Sequence, residues 1–199
     1  MKEGLFIVIY GINNLGKTTQ VEMLLESFKK IGLKAEYLKY PIYDLEPTGP
    51  KINQILRSGQ KQEISEKELQ ELYTQNRRDY QPSLCIKIDE SVNIIAEDYI
   101  GTGLAWGWSK GADLEEMIEN NKGLLKPDIE ILLDGERFLA GKEDGHLHES
   151  NDELMEKCRA NHLQLAGRFG WGVVDANQKQ EEVHRDILKI IESKIKEIE

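Results

Sequence analysis

The stretch that decides the fold is residues 5–19, LFIVIYGINNLGKTT. Its first six residues, Leu5 to Tyr10, form a continuous apolar run bounded by Gly4 and Gly11, as is typical of a parallel strand covered on both faces. A glycine-rich turn follows the run, and apolar residues at helical spacing begin at Val21. The order strand, glycine turn and helix predicts the first unit of an α/β fold.

Four further apolar runs have the length and composition of strands. Segments with helical spacing of apolar residues lie between them, so we predict a mostly parallel five-stranded sheet wrapped by helices. No linker divides the sequence, which predicts one domain over residues 1–199. Ligands of such sheets bind at the carboxyl ends of the strands. The four runs are Ala35 to Tyr40, Val92 to Ala96, Ile129 to Leu133 and Gly172 to Val174.

The C-terminal segment carries the clearest helical pattern. Val183, Ile187, Ile191 and Ile195 mark one face of it, and Glu and Lys fill much of the remainder. A helix packed on its own sheet produces such a stripe, and so does a coiled-coil seam with a partner. We expect packing on the sheet, which is the commoner arrangement, and the stripe does not reveal the oligomeric state.

Composition excludes several classes of partner. The chain has 26 Lys and Arg against 36 Asp and Glu, and a net charge of -10 opposes general affinity for nucleic acid or for an anionic membrane surface. Leu5 to Tyr10 is too short for a signal sequence or a membrane span, which favours the cytoplasm. Cys85 and Cys158 lie far apart without a metal-binding pattern, so we expect reduced thiols.

Residues 11–18, GINNLGKT, fit the pattern GxxxxGK[ST] of a phosphate-binding loop, or P-loop. Glycines let backbone N–H groups converge on phosphate oxygens, and the following helix adds the positive end of its dipole. Lys17 supplies a mobile cation, and the Thr18 hydroxyl reaches Mg²⁺. A glycine turn with an incidental lysine is the alternative, but the strand before it and the helix after it favour a nucleotide phosphate site. The predicted ATP contacts are Gly11, Asn13, Asn14, Leu15, Gly16, Lys17, Thr18 and Thr19.

A P-loop also needs an acidic group for the magnesium shell, at the carboxyl end of a strand near the first. The run Val92 to Ala96 ends in Glu97 and Asp98, which makes Glu97 the first candidate. Asp134, after Ile129 to Leu133, is the second. The Glu97-Asp98 pair could instead cap the turn that follows the strand.

Five elements of the sequence follow one another in a characteristic order. They are the P-loop, Leu72 to Arg77, Glu97-Asp98-Tyr99 with Thr102, Ala105 and Trp106, Lys126-Pro127-Asp128, and Val174-Asp175-Ala176 before a Glu-Glu-Val helix. This is the order seen in thymidylate kinases, and the chain resembles that family over nearly its whole length. The resemblance implies a P-loop kinase that uses ATP and Mg²⁺ to phosphorylate a deoxynucleoside monophosphate, dTMP to dTDP, and it implies a homodimer. Another nucleoside or nucleotide acceptor is an alternative, as is a nucleotide-binding regulatory protein with weak transfer activity.

The resemblance also assigns roles in binding the acceptor. It implies that Tyr73 stacks on the base and that Arg77 bonds a base carbonyl; their spacing of i, i+4 gives them one helix face. The alternative is that Tyr73 belongs to the core and Arg77 is a surface cation. Thr102 is expected to touch the base and Trp106 to pack near the sugar. Trp106 and Tyr99 together could exclude a ribose 2′-hydroxyl, or they could simply pack in the core.

The sequence departs from the family in the acceptor pocket. Asp98 stands where the family has an Arg that holds the monophosphate, so we expect Arg57 or Arg78 to replace that clamp. The segment from Tyr40 to Gly49 lacks the Arg that the family carries near a Pro and a Thr. It follows the second strand, and we expect it, through Pro41, still to line the acceptor pocket.

A second departure concerns the transition state, where the family uses an Arg from the P-loop or from a lid. Residues 12–15 contain none, and the region from Gly135 to Ser150 offers Arg137 and Lys142 as catalytic cations. The polar stretch between Gly141 and Gly145 could close over ATP or form an ordinary surface loop. His146 and His148 have the spacing of a metal pair, but a solvated loop is the simpler interpretation.

Overall fold

The computed structural model describes residues 4–57, 64–138 and 152–198. Within them, five parallel strands form one sheet in the order β2-β3-β1-β4-β5. The predicted α/β fold with a parallel five-stranded sheet is therefore confirmed. Lys142 and the segment with Gly141, Gly145, His146 and His148 lie outside the described residues. The strands are β1 (Phe6–Tyr10), β2 (Ala35–Lys39), β3 (Asn93–Glu97), β4 (Ile129–Asp134) and β5 (Gly172–Asp175).

Helices connect the strands and cover both faces of the sheet. Right-handed crossovers carry the first helix to one face and the connections from β2 to β5 to the other face. In the described part of the chain, no helix has both the length and the apolar composition that a membrane crossing requires. The helices are α1 (Lys17–Lys30), α2 (Thr48–Arg57), α3 (Glu66–Asp89), α4 (Ile100–Ser109), α5 (Leu114–Asn120), α6 (Asp152–Phe169) and α7 (Gln180–Ile198).

The C-terminal helix packs on the sheet of its own chain. It contacts α1, β4 and β5, and Val183, Ile187 and Ile191 on its apolar stripe are buried. The expectation that this stripe faces the sheet is confirmed. The most deeply buried strand is β1, which lies between β3 and β4 and has all five residues inside the core.

Helix α4 is held against the sheet by close contact through a glycine. A Cβ atom on Gly101 would lie 2.4 Å from Cη2 of Trp171 and 2.9 Å from Cζ of Tyr10, so no larger residue fits there without displacing these rings. The two rings pack with centroids 4.4 Å apart. Tertiary packing therefore sets the position of α4, a helix that contains three glycines and has no side-chain N-cap.

A crevice forms at the carboxyl ends of β1 and β3. These strands are neighbours, but the chain leaves β1 toward one face of the sheet and leaves β3 toward the other. Such a point is where ligands of open α/β sheets bind. It brings the P-loop after β1 next to Glu97 and Asp98 at the end of β3.

Candidate active site

A cleft of about 610 Å³ opens at this crevice and extends between α3 and α4. Most of the residues predicted to bind ATP or an acceptor line it, although they come from distant parts of the chain. Gly11, Leu15, Arg78 and Arg137 are not among the lining residues. Those that line the cleft are Asn13, Asn14, Gly16, Lys17, Thr18, Thr19, Pro41, Arg57, Tyr73, Arg77, Glu97, Asp98, Tyr99, Thr102 and Trp106.

The P-loop conformation depends on glycine at its start. Gly11 has a φ of 144°, and a Cβ atom there would lie 2.7 Å from the carbonyl oxygen of Leu133. Asn14 and Gly16 also have positive φ values, of 62° and 79°. Leu15 turns its side chain into the core and is 3% exposed, so Gly11 and Leu15 shape the loop rather than line the cleft.

Lys17 lies across its own loop. Its Nζ donates to the carbonyl oxygens of Gly11, at 2.8 Å, and Ile12, at 3.1 Å, and lies 3.7 Å from Oδ1 of Asp98. The side chain is buried at the start of α1, where the helix dipole also favours an anion. The ammonium group and the helix N-terminus are thus both available to phosphate oxygens at one end of the cleft.

The Glu97 carboxylate accepts contacts on both oxygens. Oε2 accepts hydrogen bonds from the hydroxyls of Thr18, at 2.8 Å, and Tyr37, at 2.6 Å, while Oε1 pairs with Nζ of Lys39 at 3.0 Å. Burial alone would raise the pKa of Glu97, but Lys17 and the contacts with Tyr37 and Lys39 lower it below its ordinary value. The carboxylate is therefore ionised at neutral pH.

Tyr37 and Lys39 were not predicted as site residues. The available signal was their alternation in a strand, which places both side chains on one face of β2. Burial, followed by the hydrogen bond to Glu97, raises the pKa of Tyr37. The phenol keeps its proton at neutral pH and can act only as a donor to that carboxylate.

The oxygens of Thr18 and Glu97 fit a magnesium-nucleotide site. The Thr18 hydroxyl donates a hydrogen bond to Glu97, so the lone pairs of the hydroxyl oxygen remain available to a cation. No group of three or more His, Cys, Asp and Glu residues in the described ranges could hold a metal alone. This composition suits Mg²⁺, which takes one or two protein oxygens and completes its shell with phosphate and water.

Asp98 lines the cleft and has a positive φ of 64°. Its Oδ1 accepts a hydrogen bond from the Thr102 hydroxyl at 2.8 Å, and its backbone N–H donates to the carbonyl of Ile9 at 3.1 Å. Burial and the charge of Glu97 raise its pKa, against the opposing effects of Lys17 and Thr102. A carboxyl group therefore stands in the cleft at the position where the family resemblance leads one to expect a guanidinium.

Arg77 is buried and lines the cleft, so the interpretation of it as a surface cation is wrong. Its Nη2 donates to the carbonyl of Tyr99 at 2.9 Å, and its Nη1 donates to Oδ1 of Asn121 at 3.1 Å. The side chain is 5% exposed, and its buried Nε has no partner among the described residues. A Cβ atom on Gly103 would lie 2.6 Å from Nη2, so that glycine makes room for the guanidinium.

One face of α3 forms a wall of the cleft. Glu66, Gln70, Tyr73 and Arg77 are spaced by four, three and four residues, which places them on the same side of the helix. Nζ of Lys110, directly after α4, pairs with Oε2 of Glu66 at 2.9 Å, and Gln70 donates to the other oxygen of Glu66 at 2.7 Å. This polar end of the cleft was not predicted.

The aromatic residues of the cleft differ in burial. Tyr99 is 1% exposed, and its ring lies 5.1 Å from that of Phe6 and 5.0 Å from that of Tyr40, between ring centroids. Tyr99 is therefore a core residue whose ring also borders the cleft. Tyr73 and Trp106 are half-buried and line it, where a planar ligand could contact them.

The two arginines suggested as a phosphate clamp lie in different places. The Arg57 guanidinium lines the cleft, 5.7 Å from the ring centroid of Tyr43. Arg78 instead donates to the carbonyls of Asn120 and Lys122, at 2.7 and 3.1 Å, in the turn after α5. The structure does not bring Arg78 to the cleft, because these carbonyls hold its side chain elsewhere.

Two candidate residues at and beyond the end of β4, Asp134 and Arg137, do not line the cleft. Arg137 contacts Oδ1 of Asp152 at 3.4 Å, and the neighbouring Phe138 donates its N–H to the carbonyl of Asn14 at 2.9 Å. Asp134, the second acidic candidate, receives two hydrogen bonds from Arg159, at 2.7 and 2.8 Å. Its oxygens are thus engaged by Arg159, and of the two magnesium candidates Glu97 is the one that contacts the P-loop, through Thr18.

Comparison with known proteins identifies relatives along almost the whole chain. The family model described as thymidylate kinase matches residues 9–187. A protein of Thermococcus onnurineus named "Probable thymidylate kinase" is 31% identical over 96% of this chain and 98% of its own length. The thymidylate kinase of Danio rerio is 27% identical over 96% of this chain and 92% of its own length.

Solved structures have the same fold. The thymidylate kinase of Candida albicans superposes with a TM-score of 0.84 at 21% identity, covering 96% of this chain and 92% of that one. The thymidylate kinase of Ehrlichia chaffeensis gives a TM-score of 0.76 at 17% identity, with coverages of 95% and 99%. Family match, full-length relatives and a P-loop kinase fold agree, and the chain belongs to the thymidylate kinase family, whose members are nucleoside monophosphate kinases.

Proposed function

We propose that this protein transfers the γ-phosphoryl group of ATP to dTMP and releases dTDP and ADP. The observation that carries the proposal is that a single cleft joins a P-loop lysine and a carboxylate at one end to the Tyr73–Arg77 face of α3 at the other. Such a cleft can hold two nucleotides with their phosphates directed toward each other. Family membership supports the same reaction.

The donor half of the cleft would bind magnesium-ATP. Backbone N–H groups of the P-loop and the ammonium group of Lys17 would hold the phosphates, and Thr18 and Glu97 would hold Mg²⁺. Bound there, Mg²⁺ would neutralise charge on the transferring phosphoryl group. No protein nucleophile is needed, since the phosphoryl group passes directly between oxygens and the residues contribute positioning and electrostatic stabilisation.

The acceptor half would bind the deoxynucleotide. Tyr73 would stack on the base, Arg77 would face a base carbonyl, and Thr102 and Trp106 would border the base and the sugar. Trp106 and Tyr99 would leave no room for a 2′-hydroxyl. Arg57 would hold the monophosphate in place of the missing family Arg, and Arg137 or Lys142 would supply a cation for the transition state.

A coupled assay that follows ADP tests the proposal. Purified protein with magnesium-ATP is supplied with dTMP, dUMP, thymidine or each remaining monophosphate. We expect dTMP to have the highest kcat/KM and Glu97→Gln to lower kcat with it. Turnover of none of these acceptors by wild-type protein that binds ATP would contradict the proposal and favour a regulatory protein.

Asp98 supports thymidine as a second candidate acceptor. The Asp98 side chain lines the cleft, where an ionised carboxylate would repel a phosphate dianion but could accept a hydrogen bond from the 5′-hydroxyl of a nucleoside. The same assay separates the two acceptors. A higher kcat/KM for thymidine than for dTMP would replace the first candidate by the second.

The homodimer is a further proposal, carried over from the family resemblance. Sedimentation equilibrium of the purified protein tests it directly. A mass near twice 22.8 kDa supports a dimer, and a mass near 22.8 kDa contradicts it.

A further inference from the structure

The Glu97 carboxylate is held from outside the cleft by the edge strand. Two hydroxyls donate to the same oxygen, Oε2: that of Thr18 from the P-loop side and that of Tyr37 from β2. Thr18 lines the cleft, whereas Tyr37 does not. Tyr37 is thus placed to act on the site from the edge strand, through its hydrogen bond to Glu97.

The register of the sheet explains how Tyr37 reaches this carboxylate. In the parallel pairing of β2 with β3, Lys39 lies opposite Glu97 and Tyr37 lies opposite Ile95. Tyr37 precedes Lys39 by two residues, so both side chains are on the same face of the strand. Among the described residues β2 is the outermost strand of the sheet, so no strand of that part of the chain covers its free side. The Tyr37 side chain therefore extends along the sheet edge to Glu97 while the residue stays 39% exposed.

We propose that Tyr37 is a positioning residue, which fixes the Glu97 carboxylate so that it holds the Thr18 hydroxyl with its lone pairs toward the cation of magnesium-ATP. The proposal rests on the proposed function, in which Thr18 and Glu97 serve that cation. Lys39 supports the arrangement by pairing with the other carboxylate oxygen at 3.0 Å.

The physical reason is preorganisation. A glutamate has three side-chain torsions, and its carboxylate keeps one orientation only if partners hold it. Without the phenol, Oε2 keeps the single bond from Thr18, and the carboxylate and the threonine hydroxyl can turn together. Residues that orient a metal ligand from behind in this way commonly change metal affinity or activity by about 10- to 100-fold when replaced.

Tyr37→Phe tests the proposal because it removes one hydroxyl and keeps the ring. The matched control is Glu36→Gln, on the adjacent position of β2, where Glu36 faces away from the cleft and pairs with Lys87. Binding of Mn²⁺ is measured by the electron paramagnetic resonance of free Mn²⁺, in the presence of a non-hydrolysable ATP analogue. Steady-state kinetics and thermal unfolding are measured on the same samples.

We expect Tyr37→Phe to raise the dissociation constant of Mn²⁺ and to lower kcat, each by about tenfold. The KM for dTMP should stay within about twofold, since Tyr37 does not line the cleft. Glu36→Gln should match the wild type in all three quantities. Wild-type Mn²⁺ affinity in Tyr37→Phe, with or without a lower unfolding temperature, would overturn the proposal.

The metal titration also separates this inference from the proposed function. Wild-type protein that fails to phosphorylate dTMP would overturn the proposed reaction. The Mn²⁺ titration with the ATP analogue requires no acceptor, and a tenfold loss of affinity in Tyr37→Phe would still support the positioning role.

Discussion

The two halves of the cleft are built in different ways. The donor half comes mainly from eight consecutive residues, 11–18, whose backbone and lysine form the phosphate site. The acceptor half is assembled from the segment after β2 and from α2, α3 and α4, and long-range bonds such as that from Arg77 to the carbonyl of Tyr99 hold it together. The roles of residues in a contiguous motif can be inferred from relatives position by position. A wall built from distant segments can instead have a different residue at a given position, as Asp98 does where the family has an Arg.

Loss of the donor lysine should have the largest effect on catalysis. We expect Lys17→Ala to lower kcat by about 10³-fold, because it removes the cation nearest the transferring phosphoryl group. The fold should persist, since the hydrogen bonds that disappear are to carbonyls of the loop itself.

The coupled assay and circular dichroism measure the two consequences of this substitution. Lys30→Ala, at the exposed C-terminal end of the same helix, is the control and should behave as wild type. A kcat for Lys17→Ala within tenfold of the wild-type value would mean that catalysis does not depend on the P-loop lysine.

A substitution far from the P-loop should damage the acceptor half alone. In Gly103→Ala the added Cβ atom would lie 2.6 Å from Nη2 of Arg77 and 3.1 Å from Oε1 of Gln70, so the guanidinium must move away from Tyr99. We expect kcat/KM for dTMP to fall by roughly 10²-fold, as misplacement of a binding group by about 1 Å can cause.

Calorimetry with the ATP analogue should give the wild-type affinity for Gly103→Ala. The control is Gly167→Ala in α6, where nothing lies within 4 Å of the new Cβ atom. Equal losses of ATP affinity and dTMP turnover in Gly103→Ala would show that the donor and acceptor halves are energetically coupled.

The smallest predicted effect distinguishes the two arginine candidates for the phosphate clamp. We expect Arg57→Ala to raise the KM for dTMP about tenfold, which is the range for loss of one partly exposed charged hydrogen bond. Arg78→Ala should leave that KM unchanged, because its guanidinium is bonded to the carbonyls of Asn120 and Lys122. An increase in KM for Arg78→Ala alone would reverse the assignment.

Local patterns predicted the sheet better than they predicted the helices of the acceptor half. All five strands lie within about two residues of the apolar runs, because a buried parallel strand needs little more than a short apolar sequence. Helix α4 was not predicted, since IGTGLAWGWS has three glycines and no polar face to give a helical period. Its helix depends on packing against α3, α6 and the rings beneath Gly101.

For the site residues, too, local patterns predicted some positions and distant contacts determined the others. Lys17, Thr18 and Glu97 could be predicted because a motif and a strand end fix their positions. The destination of Arg78 could not, since it depends on carbonyl groups more than forty residues away in the sequence. Tyr37 and Lys39 required the pairing of β2 with β3, which no local pattern reveals.

The contact between Gly101 and Trp171 limits the order in which parts of the protein can fold during synthesis. The indole that supports α4 is encoded seventy positions after the glycine it covers. A nascent chain can complete β1, the P-loop and α1 within its first thirty residues. The wall that would recognise the acceptor reaches its final place only after residue 171 has left the ribosome, so any chain truncated before that point should lose acceptor recognition first.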